Sequence, residues 1–441
     1  MKYFNRIIDR YLDEWKNDDN HKPVLLRGAR QCGKSSAVRN LAKKFDYFLE
    51  INFEEDKAAR DMFENSNLTP QLLCEKLYAI YDVPIIAGKT LVFFDEIQAC
   101  IPAISSLRFF YEKMPDLHVI AAGSLLEFSL EELPSFGVGR IRSLFMYPFS
   151  FAEFLEANGN SGLLKAINQA NVEHPLDEAA HKRALYLLKL FMLTGGMPAV
   201  VAKYVNEKDL HQCQQALDDL IISLRDDFAK YKKRISAVQI SAAFDSVIRQ
   251  TGSKFVYVDK EQVYSAFQIK NAIELLIMAG LVIPVTHTSA NGLPLGAGIN
   301  PRYRKLFLLD TGIFQRLLGL QLSDILLNDD FDTVNKGGIA EMFVGLELLK
   351  SSSFYQQMQL FYWQREERNA HAEVDFVVQQ AMNIVPIEVK SGKQGKMQSL
   401  HLFMKEKNLK IGIRTSLENF SVYDKIKVIP LYAIGKAISN S

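Results

Sequence analysis

The sequence predicts an α/β protein: a mostly parallel sheet covered by helices on both faces, then a helix-rich middle, then a smaller mixed sheet. Three observations carry this. Short apolar runs alternate with helical periodicity from residue 24 to 146. The pattern Gly28-x-x-x-x-Gly33-Lys34-Ser35 sits between the first apolar run and the first helix after it. A second group of strand-like runs, Phe361 to Arg365, His371 to Val378 and Ile384 to Lys390, lies near the end of the chain.

Composition sets the bounds. The 441 residues suffice for two to four domains, and with 23% charged residues the chain reads as globular. A net charge of +1 gives no global basic field of the kind that marks nucleic-acid binding, which leaves local patches as the only such signal. Cys32, Cys74, Cys100 and Cys213 are widely spaced and show no metal-ligand pairing, as expected of a reducing, cytoplasmic location. The N-terminus is charged too early for a secretory signal. The most apolar run, Ile273 to Val285, contains Glu274 and Pro284 and is too short to span a bilayer, so no membrane partner is expected.

Ile7, Ile8, Leu12 and Trp15 repeat at helical spacing and predict an amphipathic first helix. Val24 to Leu26 reads as a buried strand, and Ala37, Val38 and Leu41 mark the helix after it. Between them, Gly28 and Gly33 allow a tight backbone turn whose N–H groups point inward at phosphate oxygens. Residues Ala29, Arg30, Gln31, Cys32, Gly33, Lys34, Ser35 and Ser36 complete this nucleotide-binding loop, and the helix beginning near Lys34 adds the positive end of its dipole. Lys34 is expected to reach the β- and γ-phosphates of ATP, and Ser35 to ligate Mg²⁺. Tyr47 to Phe53 is a second strand, and Asn67 to Tyr81 a helix. Leu91 to Phe94 forms a buried strand ending in Asp95 and Glu96. Asp95 is the expected Mg²⁺ partner and Glu96 the general base that polarises the attacking water.

Ile104 to Met114 is a helix and Leu117 to Ala121 a fourth strand, whose tip carries Ser124, either a γ-phosphate sensor or a helix cap. Gly137 to Arg142 precedes a fifth strand, Ser143 to Met146. Arg140 and Arg142 are candidates to stabilise phosphate charge, in cis or from a neighbouring subunit. In such a sheet ligands bind at the strand C-termini, where these motifs fall.

From about 151 to 300 the periodicity is helical, with a sharp turn at Gly195 to Pro198. Lys230 to Arg234 is a basic cluster, a nucleic-acid contact or a solvated helix end. Val256 to Asp259, Gln262 to Ile269, Ala272 to Met278 and Gly280 to Val285 read as helix, helix, then strand, resembling a winged helix-turn-helix that binds DNA or a protein partner. Ser289 to Gly298 is a wing or hairpin loop, and Lys305 to Gly312 a strand running into a tight turn. Leu320 to Asn335 looks like a linker or lid. The expected domains are 1–155, 156–330 and 331–441. In the last, strand alternation brings Asp375, Glu388 and Lys390 together, with Glu341 on the preceding helix. Such acids can hold a divalent metal and such a lysine can activate a water; the same pattern also suits salt-bridged surface charges.

Several stretches together resemble the bacterial and archaeal AAA-type ATP-binding proteins that carry a C-terminal domain of unknown function. They are Gly28 to Ser35, Phe93 to Glu96, Ala122 to Ser124, Arg140 and Tyr147 to Phe154. The resemblance continues through Gly195 to Pro198, Leu308 to Gly312, Glu341, Glu373 to Phe376 and Pro386 to Lys390. It implies an AAA-type P-loop core, a winged-helix middle and a C-terminal domain similar to the PD-(D/E)xK nuclease fold, which is the restriction-endonuclease-like fold. In that fold Asp375 and Glu388 match the metal-binding acids, Lys390 the catalytic lysine and Glu341 the helical acid. The functional expectation is a Mg²⁺-dependent ATPase whose hydrolysis moves the C-terminal half, with DNA, a homo-oligomer or a protein as partner. Two alternatives are a nucleotide-switched scaffold with little turnover and an ATP-regulated, metal-dependent nuclease.

Overall fold

The sheet that carries the nucleotide motifs is built from five parallel strands. In the computed structural model, which describes residues 2–64, 69–124, 126–127, 130, 139–231, 235–258, 263–322, 338–365, 372–392 and 397–438, the chain divides into two compact units. The first comprises Met1–Pro148 with the short segment Ser353–Gln357. It runs α1 (Ile7–Lys16), β1 (Val24–Arg27), α2 (Lys34–Ala42), β2 (Tyr47–Asn52), α3 (Lys57–Glu64), α4 (Pro70–Tyr81), β3 (Thr90–Asp95), α5 (Ile101–Lys113), β4 (His118–Ala122) and β5 (Arg142–Phe145). The strand order is β2-β3-β4-β1-β5, with every pairing parallel.

Alternation explains why these strands are apolar throughout. Leu25, Val92, Phe94, Val119 and Ala121 face a core closed by α3, α4 and α5. Val24, Leu26, Leu91, Phe93, Ile120 and Ala122 face a second core closed by α1 and α2. A strand covered on both faces has no polar side to show. Phe354 belongs to that second core, its ring 4.9 Å from Tyr11 and its carbonyl accepting the Phe145 N–H at 2.9 Å. The sequence assigns this segment to the last domain; an aromatic side chain in a different core decides otherwise.

At the start of β4, the buried His118 ring stacks 3.9 Å from His21 and meets the edges of Trp15 and Phe45. Burial, and then the charge of His21, push the His118 pKa down to about 4. A histidine whose folded pKa lies below its ordinary value adds stability above about pH 6.5, and that stability drains away as pH falls towards 4. The melting temperature is therefore expected to fall over this window, and to fall less in His118→Phe; equal slopes in thermal melts would refute the assignment.

The second unit holds Phe149–Ser352 and Met358–Ser441. Its helical part contains α6 (Phe151–Ala157), α7 (Ser161–Gln169), α8 (Glu178–Thr194), α9 (Pro198–Glu207), α10 (Leu210–Asp227), α11 (Ala237–Gln250) and α12 (Ala266–Met278). Ser150 caps α6 by accepting the Glu153 N–H, and the Glu153 carboxylate answers by accepting the Ser150 N–H. The helix pair ahead of β6 differs from the one the sequence suggests: it is α11 with α12. Residues 255–258 are not helical. The Phe255 N–H binds the Arg304 carbonyl, and both ends of the Gln250 side-chain amide bracket the Val256 backbone. A single stripe of Ile269, Ala272, Ile273 and Leu276 keeps α12 continuous through Asn271.

There follow β6 (Val282–Thr288), β7 (Ile299–Leu308), α13 (Thr311–Leu317), α14 (Gly338–Lys350), β8 (Leu360–Gln364), β9 (Glu373–Gln380) and β10 (Asn383–Val389). The chain closes with α15 (Gln398–Glu406), β11 (Gly412–Ser416), β12 (Ser421–Tyr423), β13 (Ile426–Pro430) and α16 (Ile434–Ile438). All eight strands form one mixed sheet in the order β12-β13-β11-β10-β9-β8-β6-β7. The β6–β7 hairpin thus pairs through β8 with the C-terminal strands, and the boundary drawn at 330 falls inside a continuous unit. α14 is buried on every side, which accounts for its near-continuous apolar sequence. Gly137, Lys232 to Arg234, Asp259, Gln262, His371 and the stretch 323–335 of the expected linker lie outside the described residues. Among the described residues no helix is long and apolar enough to cross a membrane.

Candidate functional site

The loop between β1 and α2 is shaped by its two glycines. Gly28 has φ +145°, and a Cβ there would lie 2.1 Å from the Met146 carbonyl oxygen. Gly33 is left-handed, φ +100°, at the N-cap of α2. Cys32 is fully buried, its Sγ 3.7 Å from the same Met146 carbonyl, so it packs the loop's underside. Ala29 is buried beside it, whereas Gln31 and Ser36 are exposed on the rim.

Lys34 folds back over this loop. Its ammonium donates to the Gly28 and Ala29 carbonyls, each at 2.8 Å. The Ser35 hydroxyl donates to Asp95 Oδ2 at 2.8 Å, which joins the loop to the tip of β3. Burial raises the Asp95 pKa and the neighbouring Glu96 charge adds to this, while the Ser35 hydrogen bond opposes both. Glu96 adopts φ +47°, ψ +44°, a left-handed conformation that a glutamate takes only at a cost. Its carboxylate accepts from Gln98 Nε2 at 2.6 Å and from Ser124 Oγ at 3.2 Å. Arg30 Nε donates to Ser124 Oγ at 2.9 Å. Loop, β3 tip and β4 tip are thereby tied together through Arg30, Ser124 and Glu96.

Two side chains in this arrangement escape a motif search. Arg6, 7% exposed, donates to the Cys32 carbonyl at 3.1 Å and to the Tyr147 carbonyl at 2.7 Å, propping the loop from below. Gln98 orients Glu96. Neither belongs to a recurring pattern, because what they are seen to hold here are backbone carbonyls and a neighbouring carboxylate. Gly123 packs against Gln98: a Cβ there would sit 2.2 Å from Gln98 Oε1 and displace that side chain.

Arg140 is placed elsewhere. It pairs with Glu112 near the C-terminus of α5 at 2.5 Å, and Arg142 pairs with Asp18 at 3.5 Å. In the parallel register Arg142 lies opposite Val24, the first residue of β1. The loop begins beyond the last residue of that strand, roughly 10–13 Å away. The chain does not bring Arg140 to its own phosphate loop, so its expected role in cis gives way to an ion pair at the other end of the sheet. Sequence spacing could not show which strand end a loop arginine would occupy.

The donor set at the loop suits Mg²⁺. Ser35 and Asp95 offer hard oxygen atoms already within hydrogen-bond distance of each other, as an oxygen-ligated ion held partly by nucleotide requires.

A second cluster lies in the other unit. Glu341 on α14 and Glu373 and Asp375 on β9 gather around an ammonium that the sequence does not indicate, and Glu388 on β10 pairs with Lys390. Lys305 of β7, 1% exposed, donates to Glu341 Oε1 at 2.6 Å, pairs with Glu373, and lies 3.8 Å from Asp375 Oδ1. Asp375 Oδ2 accepts the Val389 N–H at 2.8 Å, and Lys390 pairs with Glu388 Oε1 at 2.7 Å. Burial alone would drive the Lys305 pKa down, but Glu341, Asp375 and Glu373 outweigh it and hold the lysine charged above its ordinary range. Burial, followed by the Asp375 charge, lifts Glu388 to about 7. Among the described residues no group of three or more histidine, cysteine or acidic side chains is arranged to hold a metal ion. This cluster does not fit the divalent metal expected for Glu341, Asp375 and Glu388.

Comparison with known proteins follows this division. Residues 20–155 match a family described as an AAA domain. Residues 186–324 and 336–434 match two domains of unknown function, DUF8612 and DUF4143. Among solved structures, the Walker-type ATPase PABY2304 of Pyrococcus abyssi is 14% identical, over 72% of this chain and 96% of its own, with a TM-score of 0.47. The Aeropyrum pernix Orc1 protein in complex with DNA is 12% identical, over 73% and 90%, with a TM-score of 0.28. The Thermotoga maritima RuvB Holliday junction branch migration motor is 14% identical, over 71% and 95%, with a TM-score of 0.30. No curated protein matches the sequence. The chain thus carries an AAA-type ATPase domain followed by two domains whose function is undescribed.

Proposed function

We propose that this protein binds Mg-ATP at the Gly28 to Ser36 loop and hydrolyses it with Glu96 as general base. The observation that carries the proposal is the connected array of Ser35 at the start of α2, Asp95 and Glu96 at the tip of β3 and Ser124 beyond β4, with the Lys34 ammonium held on the Gly28 and Ala29 carbonyls of the loop. The backbone N–H groups of the loop and the N-terminus of α2 would receive the β- and γ-phosphates. Lys34 would exchange its two carbonyl partners for phosphate oxygens. Ser35 and Asp95 would hold the ion, which supplies charge neutralisation between the β- and γ-phosphates. Glu96, fixed by Gln98 and Ser124, would take the proton of the water attacking the γ-phosphorus. Arg30, through Ser124, keeps the glutamate turned towards the loop.

A covalent route supports coupling to the rest of the chain. The Met146 carbonyl packs on Gly28 and Cys32, the Tyr147 carbonyl shares Arg6 with the loop, and the second unit begins at Phe149. A change at the loop is felt two residues before the chain leaves the unit. Action on DNA is the broader form of this reading, with the α11–α12 winged-helix element as its contact.

Phosphate release from ATP tests the proposal. Turnover is expected with Mg²⁺ and its loss in a chelator, with recovery on adding the ion back. Turnover unchanged by the chelator would contradict it.

A further inference from the structure

The acid cluster of the second unit has the composition of a divalent-metal site and the occupancy of something else. Glu341, Glu373 and Asp375 all turn towards Lys305 Nζ, Glu341 at 2.6 Å and Asp375 at 3.8 Å, and the lysine is 1% exposed. Its ammonium also lies 5.2 Å from the centre of the Tyr362 ring, which closes it in further. A buried side chain with this many carboxylates around it has no free rotamer to swing into. An ion placed among the same oxygens would sit against a fixed, buried positive charge, and like charges at such a separation repel. Glu388 records what is missing: its side chain is 8% exposed, yet Oε2 finds no hydrogen-bond partner. Buried carboxylate oxygens are normally satisfied, so this one marks a coordination position left over.

We propose that Lys305 is the resident cation of this cluster, taking by its ammonium the position a divalent metal would otherwise hold, so that the second unit works without a metal. The residues that would be needed for metal-dependent phosphodiester cleavage are present, but they serve as counter-charges to a lysine. Removing the lysine should turn the cluster into a working cation site, with Glu341, Asp375 and the open oxygen of Glu388 as ligands. This inference is independent of the ATPase reading, because it concerns only side chains of the second unit.

The test uses full-length chains in a Ser35→Ala background, without nucleotide, so that the phosphate loop contributes no metal ligand. Mn²⁺ binding is followed by the loss of its free electron paramagnetic resonance signal and by thermal melts. The Lys305-containing chain is expected to bind no Mn²⁺ that Asp375→Asn or Glu388→Gln removes. Lys305→Ala is expected to bind one Mn²⁺ per chain and to melt higher with the ion than without it. A cluster-dependent site in the Lys305-containing chain would overturn the proposal. So would a folded Lys305→Ala that binds no more Mn²⁺ than its parent. If Lys305→Ala does not fold, Lys305→Gln, which keeps the length without the charge, answers the same question, and the parent chain's own titration remains decisive.

Discussion

Lys34→Ala is expected to lose ATP affinity by roughly 100-fold or more while the fold survives. The ammonium lies over the loop on two backbone carbonyls at 2.8 Å, aimed at the space the phosphates would fill. Charge-assisted hydrogen bonds are worth about 1.5–3 kcal/mol each, and an ammonium spanning two phosphates makes at least two. Giving up the carbonyls offsets part of this, leaving about 3 kcal/mol, near two decades in Kd. Stability is expected to fall by about 1–3 kcal/mol, because Lys34 is buried and alanine leaves the Ala29 carbonyl without its donor. A fluorescent-nucleotide titration beside a thermal melt separates the two effects. An affinity within about twofold of wild type would remove Lys34 from the site.

Glu96→Gln is expected to keep ATP affinity and lower turnover by about 10²–10⁴-fold. Glutamine preserves the length and the contacts that Gln98 and Ser124 make with one carboxylate oxygen, but it cannot accept a proton from water. The backbone at Glu96 is left-handed, and the substitution leaves that geometry alone. The result would be a protein that traps its nucleotide. Turnover close to wild type would move the base elsewhere; negligible turnover in both chains would favour a nucleotide switch over an enzyme.

Much of the first unit can be read from its sequence because its signals are local. Continuous apolar runs predict doubly covered strands, and each of the five expected strands is there within two residues of its expected limits. The loop is legible because only glycine fits at Gly28 and Gly33, and because Lys34 and Ser35 follow in fixed register. What could not be read is what depends on distant partners. Arg6 acts on carbonyls 26 and 141 positions away. Arg140 looks like a phosphate ligand until the parallel register of β1 and β5 sends it to the far end of the sheet. Lys305 reads from the sequence only as the start of a strand that leads into a tight turn. Its burial follows from β6–β7 joining the same sheet as β9 and β10, a long-range pairing that no window of sequence contains.

The central claim is that the loop grips a triphosphate with Lys34 while Ser35 and Asp95 receive its ion. A crystal structure of Glu96→Gln with Mg-ATP tests it most directly. The account predicts Lys34 Nζ on the β- and γ-phosphate oxygens, no longer on Gly28 and Ala29, with the Ser35 hydroxyl released from Asp95 to the metal. Nucleotide bound elsewhere, with Lys34 still on its own carbonyls, would contradict it.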